Sequence, residues 1–161
     1  MPTNFLRAKP KCKPRPKPRR SSVGINGAGH AVDARSRTVW LAAGDVGLPI
    51  RLHDTPTADL IWRALPLYAI AETWGQSLHF EVPLRIGRDR TARVNGRRGE
   101  AYYWVDDERI VFAWGPTPIS RDTEIRLMRP CNVWGTALED PARFDGLVPG
   151  AKIALTRAKQ V

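Results

Sequence analysis

The sequence predicts a mainly β protein, a small closed barrel of about eight short strands with one or two short helices. Short apolar segments of alternating polarity recur between turn-forming residues, which is typical of barrels and sandwiches. A second observation is that tryptophan is followed by glycine three times, at Trp74-Gly75, Trp114-Gly115 and Trp134-Gly135. Because glycine tolerates a positive φ, we expect these pairs to turn the corners of the barrel.

The charge of the chain is concentrated near its N-terminus. The sequence has 161 residues, with 26 Lys and Arg, 16 Asp and Glu and a formal net charge of +10. Eight of the 26 cations lie within residues 1–20, which contain no acidic residue, so the rest of the chain is only +2. We therefore predict a disordered, basic, proline-rich tail over residues 1–29 and one barrel domain over residues 30–161.

The tail has three possible interpretations. Cations alternate with proline over residues 9–20, which disfavours helix and ladder and favours an extended chain. Such a segment can neutralise nucleic-acid phosphates, although it lacks aromatic residues that would stack on bases. It can also bind a partner as a polyproline segment. Finally, the true start of the protein can lie further downstream; we favour this interpretation or simple disorder.

The two cysteines do not indicate a covalent or metal function. Cys12 lies in the tail and Cys131 beside a predicted core strand, so we expect no disulfide between them. No metal-ligand spacing occurs, and we predict no metal, no cofactor and a free, buried Cys131. There is no apolar run of transmembrane length and no apolar signal segment, so we expect a cytoplasmic protein without membrane contact.

The first elements of the domain follow from apolar runs and capping residues. Strands are predicted over residues 39–42 and 48–52 because apolar residues there flank a turn at Gly44. A helix is predicted over residues 57–65, with Thr57 as its N-cap. Pro66 ends that helix.

Further strands follow from the same alternation of polar and apolar residues. They are predicted over residues 67–73, 76–82, 101–105, 109–114, 124–128, 132–137 and 151–156, with a helical turn at 141–147. An acidic cluster at residues 106–108 fits a hairpin turn better than acid–base chemistry. Residues 85–99 form an arginine-rich loop, which could clamp an anion but more often is a solvated, mobile connection.

Aromatic residues near the second Trp-Gly pair are the candidate binding residues. The predicted ligand-binding set is Trp74, Phe80, Phe112, Trp114 and Thr117. A neighbouring cation would come from Arg85, Arg109 or Arg126, whereas the lone histidines His53 and His79 suit surface or capping roles. The alternative, which we favour, is that inward aromatics simply fill a small barrel.

The order of these motifs resembles a known family. Glu72-Thr73-Trp74-Gly75, Tyr103-Trp104, Gly115-Pro116-Thr117-Pro118 and Asn132-Val133-Trp134-Gly135 occur as in the small, largely uncharacterised prokaryotic proteins of the cyclophilin-like family. The resemblance extends from about Thr38 to the C-terminus and implies a barrel of cyclophilin type. It places Cys131 where cyclophilins have histidine, so their isomerase residues are not expected here.

These observations together favour a binding protein. We expect a shallow aromatic pocket that binds a small molecule or a proline-containing peptide, without a cyclophilin-type active site. The alternative is a divergent peptidyl-prolyl cis-trans isomerase, because an apolar pocket and one cation suffice to polarise an amide. Binding to nucleic acid is expected only through the tail, if at all.

Overall fold

The computed structural model describes residues 37–159, and these form ten strands, one α-helix and one 3-10 helix. The strands are β1 (Thr38–Ala43), β2 (Val46–Leu52), β3 (Leu67–Ile70), β4 (Glu72–Thr73), β5 (Ser77–Glu81), β6 (Arg93–Gly96), β7 (Glu100–Trp104), β8 (Arg109–Ala113), β9 (Ile125–Ala137) and β10 (Lys152–Arg157). The α-helix is α1 (Pro56–Ala64), and the 3-10 helix spans Pro141–Phe144. The predicted tail over residues 1–29 lies outside the described residues.

The strands form one antiparallel sheet in the order β3-β10-β1-β2-β9-β7-β8-β5-β4, with β6 paired to β9. Mainly β structure is confirmed, but there are ten strands instead of about eight. Within residues 37–159 no ladder joins β3 to β4, so hydrogen bonds do not close the sheet. Only Ala71 separates these two end strands, and its N–H and C=O bond to Ala151 O and Gly150 N, both at 2.8 Å. Ala71 therefore extends the pairing of β3 with the segment before β10, and the chain passes directly from β3 into β4.

Two predicted boundaries differ from the structure for identifiable reasons. The strands predicted at 124–128 and 132–137 are one strand, β9, which continues through Pro130. The β6–β9 register shifts between Arg93 and Asn95, opposite this part of β9, so the missing N–H of Pro130 interrupts no regular pairing. In the predicted arginine-rich loop, residues 93–96 form strand β6.

The helix begins earlier than predicted. Its N-cap is Thr55, whose hydroxyl oxygen accepts a hydrogen bond from Ala58 N at 3.1 Å. Pro56 takes the first helical position, where its missing N–H has no intrahelical partner to lose. The prediction of Thr57 as the N-cap was therefore wrong. Thr57 is instead fully buried, and its hydroxyl donates to Asp89 Oδ2 at 2.6 Å.

Only one of the three Trp-Gly pairs turns a corner of the sheet. Gly75 has φ +62°, as predicted, whereas neither Gly115 nor Gly135 has a positive φ. Gly135 lies inside β9, and a Cβ there would lie 2.7 Å from Ile50 Cγ2 and 3.0 Å from Arg51 O. This glycine therefore allows β2 and β9 to approach closely, and the corner interpretation was wrong for Gly115 and Gly135.

The sheet buries side chains on both of its faces around β7 and β8. The main core contains Ala101, Tyr103, Ile110 and Phe112, the inward residues of these strands. Their outward neighbours belong to a second, smaller cluster, which consists of Tyr102, Val111, Ala113, Ile125, Leu127, Cys131 and Val133. Cys131 is free and buried, as predicted. In residues 37–159 no helix is long and apolar enough to cross a membrane.

Candidate functional site

A surface pocket of about 250 Å³ lies on the face of the sheet that holds the second cluster, and we call it the outer pocket. Its lining residues come from β4, β5, β7, β8, β9 and the adjoining loops: Glu72, Trp74, Ser77, His79, Trp104, Asp107, Arg109, Val111, Leu127, Met128 and Cys131. The strand register explains this grouping. His79 lies opposite both Glu72 and Val111. Trp104 lies opposite both Arg109 and Cys131.

Arg109 organises the polar side of the outer pocket. Its Nη1 donates to Glu72 Oε1 at 3.0 Å, and its Nη2 donates to Glu81 Oε1 at 2.8 Å. Nη1 also lies 3.1 Å from His79 Nδ1, which must accept because a guanidinium only donates. Burial lowers the pKa of His79, so its ring is neutral at pH 7. The hydrogen bond from Arg109 in turn lowers the pKa of Glu72.

The other side of the outer pocket is apolar and aromatic. Trp74 and Trp104 contribute indole rings, while Leu127 and Met128 come from β9. Met128 is half exposed, and its side chain is an adaptable contact for an apolar ligand. Trp104 Nε1 is buried without a hydrogen-bond partner among the described residues. This pairing of flat rings with an anchored cation is typical of sites that bind organic molecules.

The lining does not contain an activated nucleophile. Cys131 is 2% exposed, and burial raises the pKa of its thiol to about 12. The protonated Sγ lies 3.2 Å from Arg129 O, to which it donates. Within residues 37–159, no three His, Cys, Asp or Glu side chains are grouped as metal ligands would be.

Of the five predicted binding residues, only Trp74 lines the outer pocket. Phe80 and Phe112 are fully buried in the main core. The ring centroid of Phe112 lies 5.6 Å from that of Phe144 and 6.2 Å from that of Trp114. Because β8 alternates, Phe112 points inward while its neighbour Val111 points toward the outer pocket. Phe80 and Phe112 are therefore part of the main core and not of the outer pocket.

Trp114 and Thr117 do not line the outer pocket, and each has hydrogen-bond partners within the domain. Trp114 is 4% exposed, and its Nε1 donates to Asp145 Oδ1 at 2.8 Å. The hydroxyl of Thr117 donates to Arg126 O at 2.6 Å, and its N–H donates to Ser120 Oγ at 2.8 Å. Part of Trp114 borders a separate depression, but Thr117 belongs to a rigid, hydrogen-bonded turn.

The sequence interpretation missed most of the outer pocket. Among the three candidate cations, Arg109 lines it, whereas Arg85 pairs with Glu108 at the surface. His79 was assigned a surface or capping role, but its side chain is only 16% exposed and lies beside Arg109. The outward alternation of residues 77–81 and 109–113 was visible in the sequence. Which outward residues meet depends on strand register, which that alternation alone does not specify.

The arginine-rich loop is held by buried polar groups instead of being only solvated. Asp89 Oδ1 accepts from Thr91 N at 2.8 Å, and Asp89 N donates to Asn132 Oδ1 at 3.0 Å. Asn132, which is fully buried, donates from Nδ2 to Thr57 Oγ1 at 2.9 Å and to Gly87 O at 2.8 Å. These bonds join the loop to α1 and β9 beside the main core.

Comparison with known proteins supports the fold and leaves the reaction unassigned. No curated protein matches the sequence. The solution structure of the hypothetical protein AF2241 from Archaeoglobus fulgidus is similar, with a TM-score of 0.65 and 23% identity over 76% of this chain and 95% of that one. Residues 37–156 match the model of the family described as Cyclophilin-like. This match includes most of the described residues, and the chain therefore belongs to the cyclophilin-like family.

Proposed function

We propose that this protein binds a small organic molecule or a short peptide segment in the outer pocket. The observation that supports this proposal most directly is the shape and lining of the pocket. It combines two indole rings with a recessed guanidinium that is held by two carboxylates. Aromatic surfaces supply affinity for flat or cyclic groups, and fixed polar groups determine orientation.

The absence of an activated nucleophile in this lining favours binding over covalent catalysis. The Cys131 thiol is protonated and buried, and His79 Nδ1 is engaged by Arg109. The pocket differs from the one expected over Phe80, Phe112, Trp114 and Thr117, because it lies on the outer face of the sheet. A cytoplasmic location stays a prediction.

Two minimal probes test the proposal: N-acetyl-proline amide for the aromatic wall and N-acetyl-arginine amide for the carboxylates. We expect either probe to shift the indole N–H resonances of Trp74 and Trp104 in the ¹⁵N-labelled full chain. The resonance of Trp40 should not move, because this residue lies on β1, which pairs with β2 and β10 and contributes no residue to the lining of the outer pocket. Shifts of all indole signals alike, or of none, would contradict the proposal.

The Trp104→Ala variant is expected to weaken probe binding about 2- to 13-fold. One stacked aromatic contact contributes about 0.5–1.5 kcal/mol beyond its buried area, which corresponds to this change in Kd. Binding is measured by titration of the Trp74 indole signal. The Trp40→Ala variant is the matched control and should bind normally. Equal Kd values for the Trp104→Ala protein and the wild type would show that Trp104 is not part of the binding site.

A divergent peptidyl-prolyl isomerase is the second candidate function. The observation that favours it is Arg109, a cation with only 16% of its side chain exposed, on the wall of an aromatic pocket. Its attraction for an amide is reduced because Glu72 and Glu81 share its charge. We therefore give this activity second place.

The isomerase candidate makes a separate prediction. If the protein accelerates proline isomerisation in a protease-coupled peptide assay, Arg109→Gln should reduce the rate to the uncatalysed background. Arg51→Gln, at an exposed position on β2, is the matched control and should keep full activity. Circular dichroism of both variants verifies their folding. No acceleration by the wild type would reject the candidate.

A further inference from the structure

Acidic residues outnumber basic ones along the rim of the outer pocket that β4, β5 and the turn between β7 and β8 form, and two of them, Glu72 and Asp107, line the pocket itself. Five acidic residues lie on β4, β5 and the turn between β7 and β8: Glu72, Glu81, Asp106, Asp107 and Glu108. Two arginines face them, Arg109 and Arg85. The side chains of Glu72 and Glu81 are 57% and 77% exposed, whereas that of Arg109 is 16% exposed. The carboxylates therefore reach solvent while this guanidinium lies beneath them.

We propose that residues 9–20 of the same chain occupy the outer pocket, an inference that rests on the proposed function and names its ligand. This segment contains seven Lys and Arg, four prolines and no acidic residue. Proline rings are flat apolar groups that bind aromatic grooves when the chain is extended, as polyproline ligands do. Its cations complement the carboxylates of the rim and can lie over the faces of Trp74 and Trp104.

The charge of the described domain directs the segment to this face. Residues 37–159 contain 17 Lys and Arg and 15 Asp and Glu, so the domain as a whole is +2. The net charge of the domain therefore does not attract a strongly basic segment. The acidic rim does attract it, because negative charge is concentrated there. Electrostatic complementarity between two surfaces mainly determines where a segment binds. Its effect on the affinity is smaller.

The length of the connecting chain permits this contact. Sixteen residues, 21–36, separate the segment from the first described residue. A chain of this length spans up to about 53 Å when fully extended and about 20–24 Å on average when flexible. A domain of about 120 residues has a radius of gyration of about 14 Å, which is small compared with the extended span of this linker. Tethering supplies a local concentration in the millimolar range, which lets a weak contact fill the pocket.

The two cysteines permit a direct test in the full-length protein. Cys131 is buried with a raised thiol pKa, so a nitroxide label is directed to Cys12, with the site confirmed by mass spectrometry. We expect the oxidised label to reduce the indole N–H intensities of Trp74 and Trp104 at least twofold relative to the reduced label. The Trp40 intensity should be unchanged. Equal broadening of all three indoles, or of none, would overturn the inference.

Two acid-to-amide double variants test the charge contribution. Glu72→Gln with Asp107→Asn removes two charges from the pocket lining and should abolish the selective broadening. Asp45→Asn with Asp122→Asn removes two exposed acids outside that lining and should leave the broadening intact. An identical effect of both pairs would show that only the overall charge of the domain matters, and it would overturn the inference.

Further measurements separate a contact within one chain from other outcomes. In an equimolar mixture of ¹⁵N-labelled chains and nitroxide-labelled unlabelled chains, the indole intensities should not change at low concentration. Broadening in that mixture would assign the contact to a second copy and overturn the intramolecular proposal. If the label has no effect but N-acetyl-proline amide still shifts Trp104, only this inference fails. If neither has an effect, the proposed function fails with it.

Discussion

Replacing Phe112 with alanine is expected to lower the free energy of unfolding by about 3–5 kcal/mol. The side chain is fully buried and packs edge-on against Phe144 at a centroid distance of 5.6 Å. Its removal leaves a cavity beside two other aromatic rings of the main core, those of Trp114 and Phe144. The centroids of these two rings are 5.8 Å apart. Urea unfolding, followed by circular dichroism, measures the change.

The same variant distinguishes the core from the pocket interpretation of this residue. Tyr68→Ala is the control, because this aromatic side chain is 71% exposed and its removal should change stability by less than about 0.5 kcal/mol. If Phe112→Ala bound no probe yet unfolded at the wild-type urea concentration, Phe112 would be a ligand contact. The core assignment would then be wrong, and the original expectation for this residue would stand.

Replacing Asn132 with alanine is expected to cost about 2–3 kcal/mol. The Asn132 side chain donates to Thr57 Oγ1 and Gly87 O and accepts from Asp89 N, all within 3.0 Å. Its removal leaves Asp89 N–H without its partner beside the core, and water is poorly placed to replace it. The loss should also release residues 87–91, which amide hydrogen exchange would detect as faster exchange there than in β10.

Asn95→Ala is the matched control for this network. Asn95 is exposed on β6, and no hydrogen bond of its side chain is found among the described residues, so the substitution should change stability by less than about 0.5 kcal/mol. Equal stability of the Asn132→Ala protein and the wild type would show that the buried polar network is replaceable. In that case the arginine-rich loop would be positioned by its backbone and by β6 alone.

The mainly β class and most strand positions were predictable because side-chain alternation is a local property of the chain. Residues 77–81 and 109–113 alternate with a period of two, and both are strands in the structure. The helix was predicted within about one residue at each end, because Pro56 and Pro66 bracket it. Its cap was assigned two residues too late, since Thr55 and Thr57 are equally good capping residues by type.

The loop over residues 85–99 was not predictable in the same way. Its composition suggests a solvated connection, and arginine and glycine indeed dominate it. The bonds that hold it come from Thr57 and Asn132, which are 32 and 43 residues from Asp89. No local pattern specifies such partners, because they are chosen only when α1 and β9 pack together. The same argument applies to Gly135, whose close approach to Ile50 depends on the pairing of β2 with β9.

The sequence by itself determined the class of fold, the family resemblance and the concentration of charge at one end of the chain, because composition and alternation are written in consecutive residues. Tertiary structure alone decided that Phe80 and Phe112 are core, and that Trp74, His79, Trp104 and Arg109 share one pocket. The physical reason is register. A shift by one residue would exchange the two faces of a strand, and only packing of the whole sheet selects which outward side chains meet.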